Sequence, residues 1–534
     1  MSAGSAENQR SVVYSQPTSE PTTRDEKRPA KPRDAGVPLS SLVSQVLEAT
    51  EAGPSPAAQS LERFLTAENP VQALEAWFQT SVKNLDGEAI SRTLNRDIAR
   101  IDAILTKQVN VILHHERFQQ LEASWRGLHY LVSQAGTHEH AHIKIRVLNL
   151  PWKELARDME RAIEFDQSQL FRKIYNDEFG TAGGEPFGML IGDYQLTHRP
   201  APGHPTNDID VLQAVSQVAA AAFCPFITAA DPAFLGLDSF TELELPLNMS
   251  RTFEQLEYLK WKSFRESEDA RFVGLALPQV LMRRPYEDGD GHSDGFRFKE
   301  DVEKPDRSQY LWGNAAFAFG EVTMRAFAEC GWLADIRGFQ RGKLSGGVVG
   351  GLAVDSFDTD KDGVALKFVT DGVVTDASEK ELGDLGFIPL CQAKDTEFAA
   401  FYSNQSAQKP KTYDTPEATV NARISSMLQY MLCVSRFAHY LKVIGRDKVG
   451  TLAEARDLED FLHRWLQKYV TSDADAPLEV KAEYPLREAS VQVRDKPGKP
   501  GCYQCVMHLR PHFQLDDLSA AVKLTTELAP RSAG

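Results

Sequence analysis

The strongest constraint on the fold is a change of hydrophobic period that repeats between residues 152 and 285. WKELARDMERAI has the three-four spacing of an amphipathic helix. PFGMLIGDYQL follows as a short apolar run ending at Asp193, of a length suited to a buried strand. DIDVLQAVSQVAAAAFCPFITAA reads as a helix running into a strand, and RFVGLALPQVLMRR as a further strand or loop approaching Pro285. Apolar strands alternating with helices predict a mixed α/β core, an α+β chain overall. HIKIRVLNL, His142 to Leu150, alternates like one more strand.

At 534 residues the chain is too long for one simple core. From Leu61 to Gln134 the pattern is helical, with Trp77, Leu94, Ile98, Ile101, Leu105 and Ile112 spaced by threes and fours. Thr415-Pro416-Glu417 opens a long helix, Thr as cap and Pro in the first turn, carried through Ile424, Leu428, Met431 and Leu441 to a C-cap at Gly445. EASVQVRD and YQCVMHLRPHF read as strands joined by KPGKPG. The last segment, AAVKLTTEL, fits a strand or a short helix.

Residues 1–36 are polar and predicted to be disordered. VPLSSLVSQVLEAT follows, placing Leu39, Leu42, Val43, Val46 and Leu47 on one helical face. A helix this short is marginal alone in water, so its stripe needs a cover. Two readings stand: it docks on its own body, or it folds on another protein. Burying five such side chains contributes about 8–15 kcal/mol gross, much of it offset by ordering.

Several stretches imitate chemical sites. RGFQRGKLSGGVVGG, Arg337 to Gly351, has a Gly-Lys among glycines, but only three residues separate Gly338 from Gly342 and Leu344 follows Lys343. A phosphate-binding P-loop needs four, then Ser or Thr. The duller reading is a loop where backbones approach closely. DTDKDG, Asp358 to Gly363, opens like a calcium loop but carries Leu366 and Val369 at its ninth and twelfth positions. His138, His140 and His142 fall in a loop between helix and strand, and His114-His115-Glu116 on a helix where neighbours diverge. Cys502 and Cys505 have redox spacing but sit in a predicted strand, where residues three apart face opposite ways. No catalytic, cofactor or metal site is assigned.

A formal charge of −16 points away from nucleic acid as a partner. The N-terminus has no apolar secretory core, no membrane span is predicted, and the six cysteines suit a reduced cytoplasmic chain.

Five segments together resemble a known family: LEASWRGLHYLV, FGMLIGDYQLTH, WKSFRESEDARFVGLALPQVLMRRPY, YLWGNAAFAFGEVTMRAFAECGW and FYSNQSAQKPKTYDTPEATVNARISSMLQYML. They look like the large subunit of the bacterial type VI secretion contractile sheath (the VipB family), from about residue 37 onward. The resemblance implies a non-enzymatic structural protein with a tail-sheath-like fold and strands exchanged between subunits. It implies co-polymerisation with a small sheath subunit into a helical tube, around an inner tube of hexameric rings and attached to a baseplate at the inner membrane. It further implies contraction that drives the inner tube outward and recycling by an AAA+ unfoldase. By the same resemblance Leu39, Leu42, Val43, Val46 and Leu47 form the unfoldase-recognition helix, within residues 37–52. Residues 60–383 form the body and 384–534 a C-terminal domain. Val491, Val493, Val506, Val522 and Leu524 are strand-exchange candidates. The alternatives are a single-chain sheath of a phage-like particle and a nucleotide enzyme using Arg337 to Gly351.

Overall fold

The computed structural model describes residues 56–81, 86–181, 183–287, 295–302, 307–339, 343–358, 365–393, 396–448, 455–473, 475–497, 503–512 and 522–528. The chain divides into two compact units at Arg100/Ile101. The first holds α1 (Pro56–Leu65), α2 (Pro70–Phe78) and the start of α3 (Gly87–Leu113). Asn69 caps α2 by accepting from the Gln72 N–H, with Pro70 in the first turn. Phe64 and Trp77 pack at 5.2 Å between ring centroids, and the Trp77 indole donates to Asp97.

In the second unit, α3 is followed by α4 (Glu116–Gly136) and α5 (Trp152–Arg161). Then come β1 (Leu190–Leu196), α6 (Asp208–Ala222), β2 (Phe226–Ala230), α7 (Leu259–Glu266), β3 (Val273–Leu277) and α8 (Ala316–Cys330). β4 (Val348–Val349), α9 (Asp376–Asp384), β5 (Ile388–Gln392) and β6 (Ala399–Phe401) complete a six-stranded sheet in the order β1-β2-β3-β5-β6-β4. Its first four strands are parallel, and β6 pairs antiparallel with both β5 and β4.

Both faces of this sheet are covered, which is why its strands read as unbroken apolar runs. Phe226, Val273, Leu275 and Leu277 enter one core with α5, α6 and α7. Ile227, Ala276, Ile388 and Leu390 enter the other, with Phe319 and Val322 of α8. The expected 60–383 body ends just before β5, yet β5 and β6 are hydrogen-bonded into this sheet, so the sheet spans that division.

The C-terminal part comprises α10 (Pro416–Ser425), α11 (Leu428–Lys448), α12 (Ala455–Leu466), α13 (Leu478–Glu483), β7 (Leu486–Asp495), β8 (Tyr503–Pro511) and β9 (Val522–Leu528). β7, β8 and β9 form an antiparallel sheet in that order. The segment left open between strand and helix is therefore a strand. α11 links the cores: Leu428 and Leu432 lie under the large sheet, and Cys433, Phe437 and Leu441 under the small one.

Two expectations are corrected. The single helix from Pro416 is two, broken at Ser426 and Met427, where the Ser426 carbonyl accepts from the Ser406 N–H and the Leu428 N–H donates to Asn404. Gly445 lies inside α11 and does not cap it. HIKIRVLNL forms no strand: Ile143 to Leu150 run without turn or bend and pair with no neighbour among the described residues, leaving Val147 and Leu148 exposed.

Candidate functional site

The candidate exchange residues meet in the small sheet. Its inner face carries Ala489, Val491 and Val493 of β7 with Cys505, Met507 and Leu509 of β8, all buried against Leu458, Leu462 and Leu466 of α12. The alternation follows from the two-residue period of a strand with one covered face. Trp332 stacks on Phe437 at 4.0 Å between centroids and meets Tyr469 edge-on, which fixes α11 beneath the sheet. Val491 stands opposite Met507 and Val493 opposite Cys505. Val506 belongs to the outer face, half-buried and opposite Thr525. In β9, Val522 and Leu524 stand opposite Leu509 and Met507. The structure thus brings all five strand candidates into one sheet within one chain. The helix residues Leu39, Leu42, Val43, Val46 and Leu47 lie outside the described residues.

The edges of this sheet differ. β9 covers one side of β8. On the far side of β7, polar side chains take the place of a strand. The Val493 N–H donates to Glu459 Oε2 at 2.8 Å, and the Ala489 carbonyl accepts from Gln467 Nε2 at 3.2 Å. At the start of β7, the Thr471 N–H donates to the Leu486 carbonyl. Neither Glu459 nor Gln467 stood out in sequence. Their eight-residue spacing on a helix facing a strand is the only signal that marked them.

The glycine-rich stretch builds the edge of the large sheet. The Gly338 N–H donates to the Phe401 carbonyl, and the Gly347 N–H to Gly338. A Cβ on Gly347 would lie 2.1 Å from the Phe401 oxygen, so only glycine lets these backbones approach. The Gly346 carbonyl accepts from buried Arg325, and the Gly350 carbonyl from the Tyr130 hydroxyl. Lys343 pairs with Glu479 at 2.9 Å on the surface.

The other imitations resolve similarly. Asp355–Asp358 and Ala365–Phe368 pair as an antiparallel ribbon, so strands flank the acidic stretch, of which only Asp358 is described. His138 and His142 flank a short helical turn, Glu139–Ala141, and not a strand. His115 caps α4 by accepting from the Arg117 N–H, while His114 Nε2 lies 3.3 Å from Glu300. Cys505 is buried, which pushes its thiol up to about 12; Cys502 lies outside the described residues. Among the described residues no group of three or more metal-ligating side chains converges, and no helix is long and apolar enough to cross a membrane.

One polar cluster was invisible in sequence. Arg283 is buried between Glu122 of α4, 2.8 Å away, and Glu300, and Arg126 also donates to Glu122. Burial pushes the Glu122 carboxyl up, but the two guanidiniums outweigh it and hold it below the usual carboxylate range. Residues 122 and 283 are too far apart for any spacing rule to join them.

The tail sheath N-terminal domain of VipB (EvpB) matches residues 95–408, and the tail sheath gpW/gp25-like domain matches residues 417–528. The chain belongs to the VipB tail-sheath family. Its break between the two matched domains falls after the large sheet is complete and before α10. The chain is also similar to the type VI secretion system sheath protein TssC1 of Pseudomonas aeruginosa, 41% identical over 463 residues, which cover 84% of this chain and 91% of that protein. It is thus a structural large subunit of a type VI secretion sheath, in an α+β tail-sheath fold.

Proposed function

We propose that this sheath subunit co-polymerises with a small sheath subunit into a tube around an inner tube of hexameric rings, anchored on a baseplate in the bacterial cytoplasm. Contraction of that tube drives the inner tube outward. An AAA+ unfoldase then dismantles it by gripping Leu39, Leu42, Val43, Val46 and Leu47. The similarity to a named sheath protein over 84% of the chain carries this reading.

The surface supports it. Leu121, Trp125 and Val132 of α4 are 56%, 65% and 52% exposed, on the face turned away from buried Ala123, Gly127 and Leu131. Apolar side chains lined up in this way mark a surface that a partner covers, and in this reading the partner is the small subunit. Exchange of a strand of the small sheet between neighbours would tie subunits while they rotate, since main-chain ladders add strands without new side-chain contacts.

The test is co-expression of the full chain with the small sheath subunit, followed by negative-stain microscopy. Hollow tubes are expected, and Trp125→Asp should reduce recovery of the small subunit with this chain. A chain that stays monomeric with every such partner, or that forms tubes by itself, overturns the two-subunit reading.

A further inference from the structure

Lys442 of α11 is held in a box of aromatic rings. Its Nζ lies 4.9 Å from the ring centroid of Tyr175, 4.7 Å from that of Phe179 and 4.9 Å from that of Phe223. A cation over ring faces at such a distance is attracted by their negative quadrupoles. The Tyr175 hydroxyl lies 3.5 Å from the ammonium, and among the described residues no carboxylate pairs with it.

Three local features build the box. Tyr175 belongs to a π-helical turn, Arg172–Asn176, and packs between Phe171 and Phe179 at 4.8 and 4.9 Å between centroids. Such turns are rare and gather at functional sites. Phe223 ends α6 in the left-handed region, at φ 50° and ψ 40°, where glycine is the usual residue. A bulky side chain there is a backbone outlier, and its ring is the third wall. α11 then secures both sides. His439 donates to the Ala222 carbonyl, just before Phe223, and Arg446 donates to the carbonyls of Phe179 and Thr181. Lys442 sits between His439 and Arg446 on the same helix.

The box lies at the surface, since Lys442 and all three rings are half-buried. A bare ammonium carries three N–H donors, and among the described residues these have one acceptor, the Tyr175 hydroxyl. Methyl groups would replace those donors with apolar surface and keep the charge. Ring faces without a carboxylate are the surroundings in which a quaternary ammonium is recognised. Burial also pushes the Lys442 amine down to about 8, which leaves a neutral, nucleophilic fraction near neutral pH.

We propose that Lys442 is a methylation site, and that Tyr175, Phe179 and Phe223 hold the methylated ammonium. The donor is a sulfonium, S-adenosylmethionine, delivered by a methyltransferase of the same cell. In each round the amine releases a proton to solvent and its lone pair forms the new N–C bond. The C–S bond breaks, and the donor leaves as a neutral thioether. The positive charge stays on the lysine, and three rounds complete a trimethylammonium. Methylation tightens the hold of α11 on residues 169–181, and α11 passes beneath both sheets. This inference does not depend on the two-subunit reading.

The test compares the full chain purified from the bacterium that encodes it with the same chain made in a heterologous host. Peptides are read by accurate-mass fragmentation. Di- or trimethylation of Lys442 is expected in the first chain only, with exposed Lys409 and Lys411 unmodified. An unmodified Lys442 in the native chain overturns the proposal. An acetyl group there also overturns it, because a neutral amide is not drawn to ring faces. A second readout tests the box. The methylated chain should melt at least about 2 °C above the unmethylated one, and Tyr175→Leu with Phe179→Leu, made in the same two hosts, should lose that difference. Equal midpoints for the two unaltered chains, or a difference that survives in the leucine variant, would show that the rings do not hold the methyl groups. Should the leucine variant fail to fold, the unaltered pair still decides.

Discussion

Gly127 shows how one missing side chain sets a helix contact. A Cβ there would sit 2.3 Å from the Phe317 ring of α8, so α4 and α8 approach as closely as they do only because position 127 is bare. Gly127→Ala should cost about 1–3 kcal/mol through overpacking, read as a lowered midpoint in thermal unfolding. Arg283 works by charge. Arg283→Met would leave Glu300 buried without its guanidinium and Glu122 with Arg126 alone, at a cost of about 3–5 kcal/mol near neutral pH. The pH dependence follows from the depressed Glu122 carboxyl. Its folded value lies below the ordinary 4.5, so its stabilisation is complete above 4.5 and is lost as pH falls through the folded value. The stability gap between the two proteins should therefore narrow in acid. A gap that stays constant from pH 7 to pH 3 in denaturant titrations would show that Arg283 acts only by packing. The glycines of 337–351 were legible as a place of close approach, but the partner backbone at Phe401 was not, because nothing local encodes a contact across more than fifty residues.

Among the elements, α11 carries the most. It passes beneath both sheets, and Phe437 joins the small one to the body through its stack on Trp332. Phe437→Ala should cost about 3–5 kcal/mol by leaving a cavity among aromatic rings. Amides of β7 and β8 should lose exchange protection before those of β2 and β3, and simultaneous loss would mean the two sheets unfold as one. The strands of the large sheet were readable because burial on both faces makes them continuously apolar. HIKIRVLNL alternates equally well and is not a strand here. Its Lys144 and Arg146 are tied to Glu185 and Glu178, and no ladder partner is present among the described residues. Alternation shows that a segment suits a half-covered sheet, and a neighbour must still be available. The break between α10 and α11 has the same origin: helical periodicity continues through Ser426, but pairing with residues 404–406 replaces the helical bonds there.

At the scale of the whole molecule, exposed Leu121, Trp125 and Val132 fit a subunit whose surface is completed by others. Recycling is separable from assembly in this reading. Leu42→Asp with Val46→Asp should leave tube formation intact and block disassembly by the unfoldase, as followed by the lifetime of contracted tubes. Tubes that fail to form would make residues 37–50 part of the structure of the sheath. Sequence alone determined the mixed core, the small C-terminal strands and the family, because periodicity and long characteristic segments are local properties of the chain. Tertiary structure alone decided where α11 begins, that Arg283 joins α4 to Glu300, and that Glu459 and Gln467 stand in for a strand beside β7. These depend on which backbone donors and charges are left without partners once distant segments have packed, and that is settled only in three dimensions.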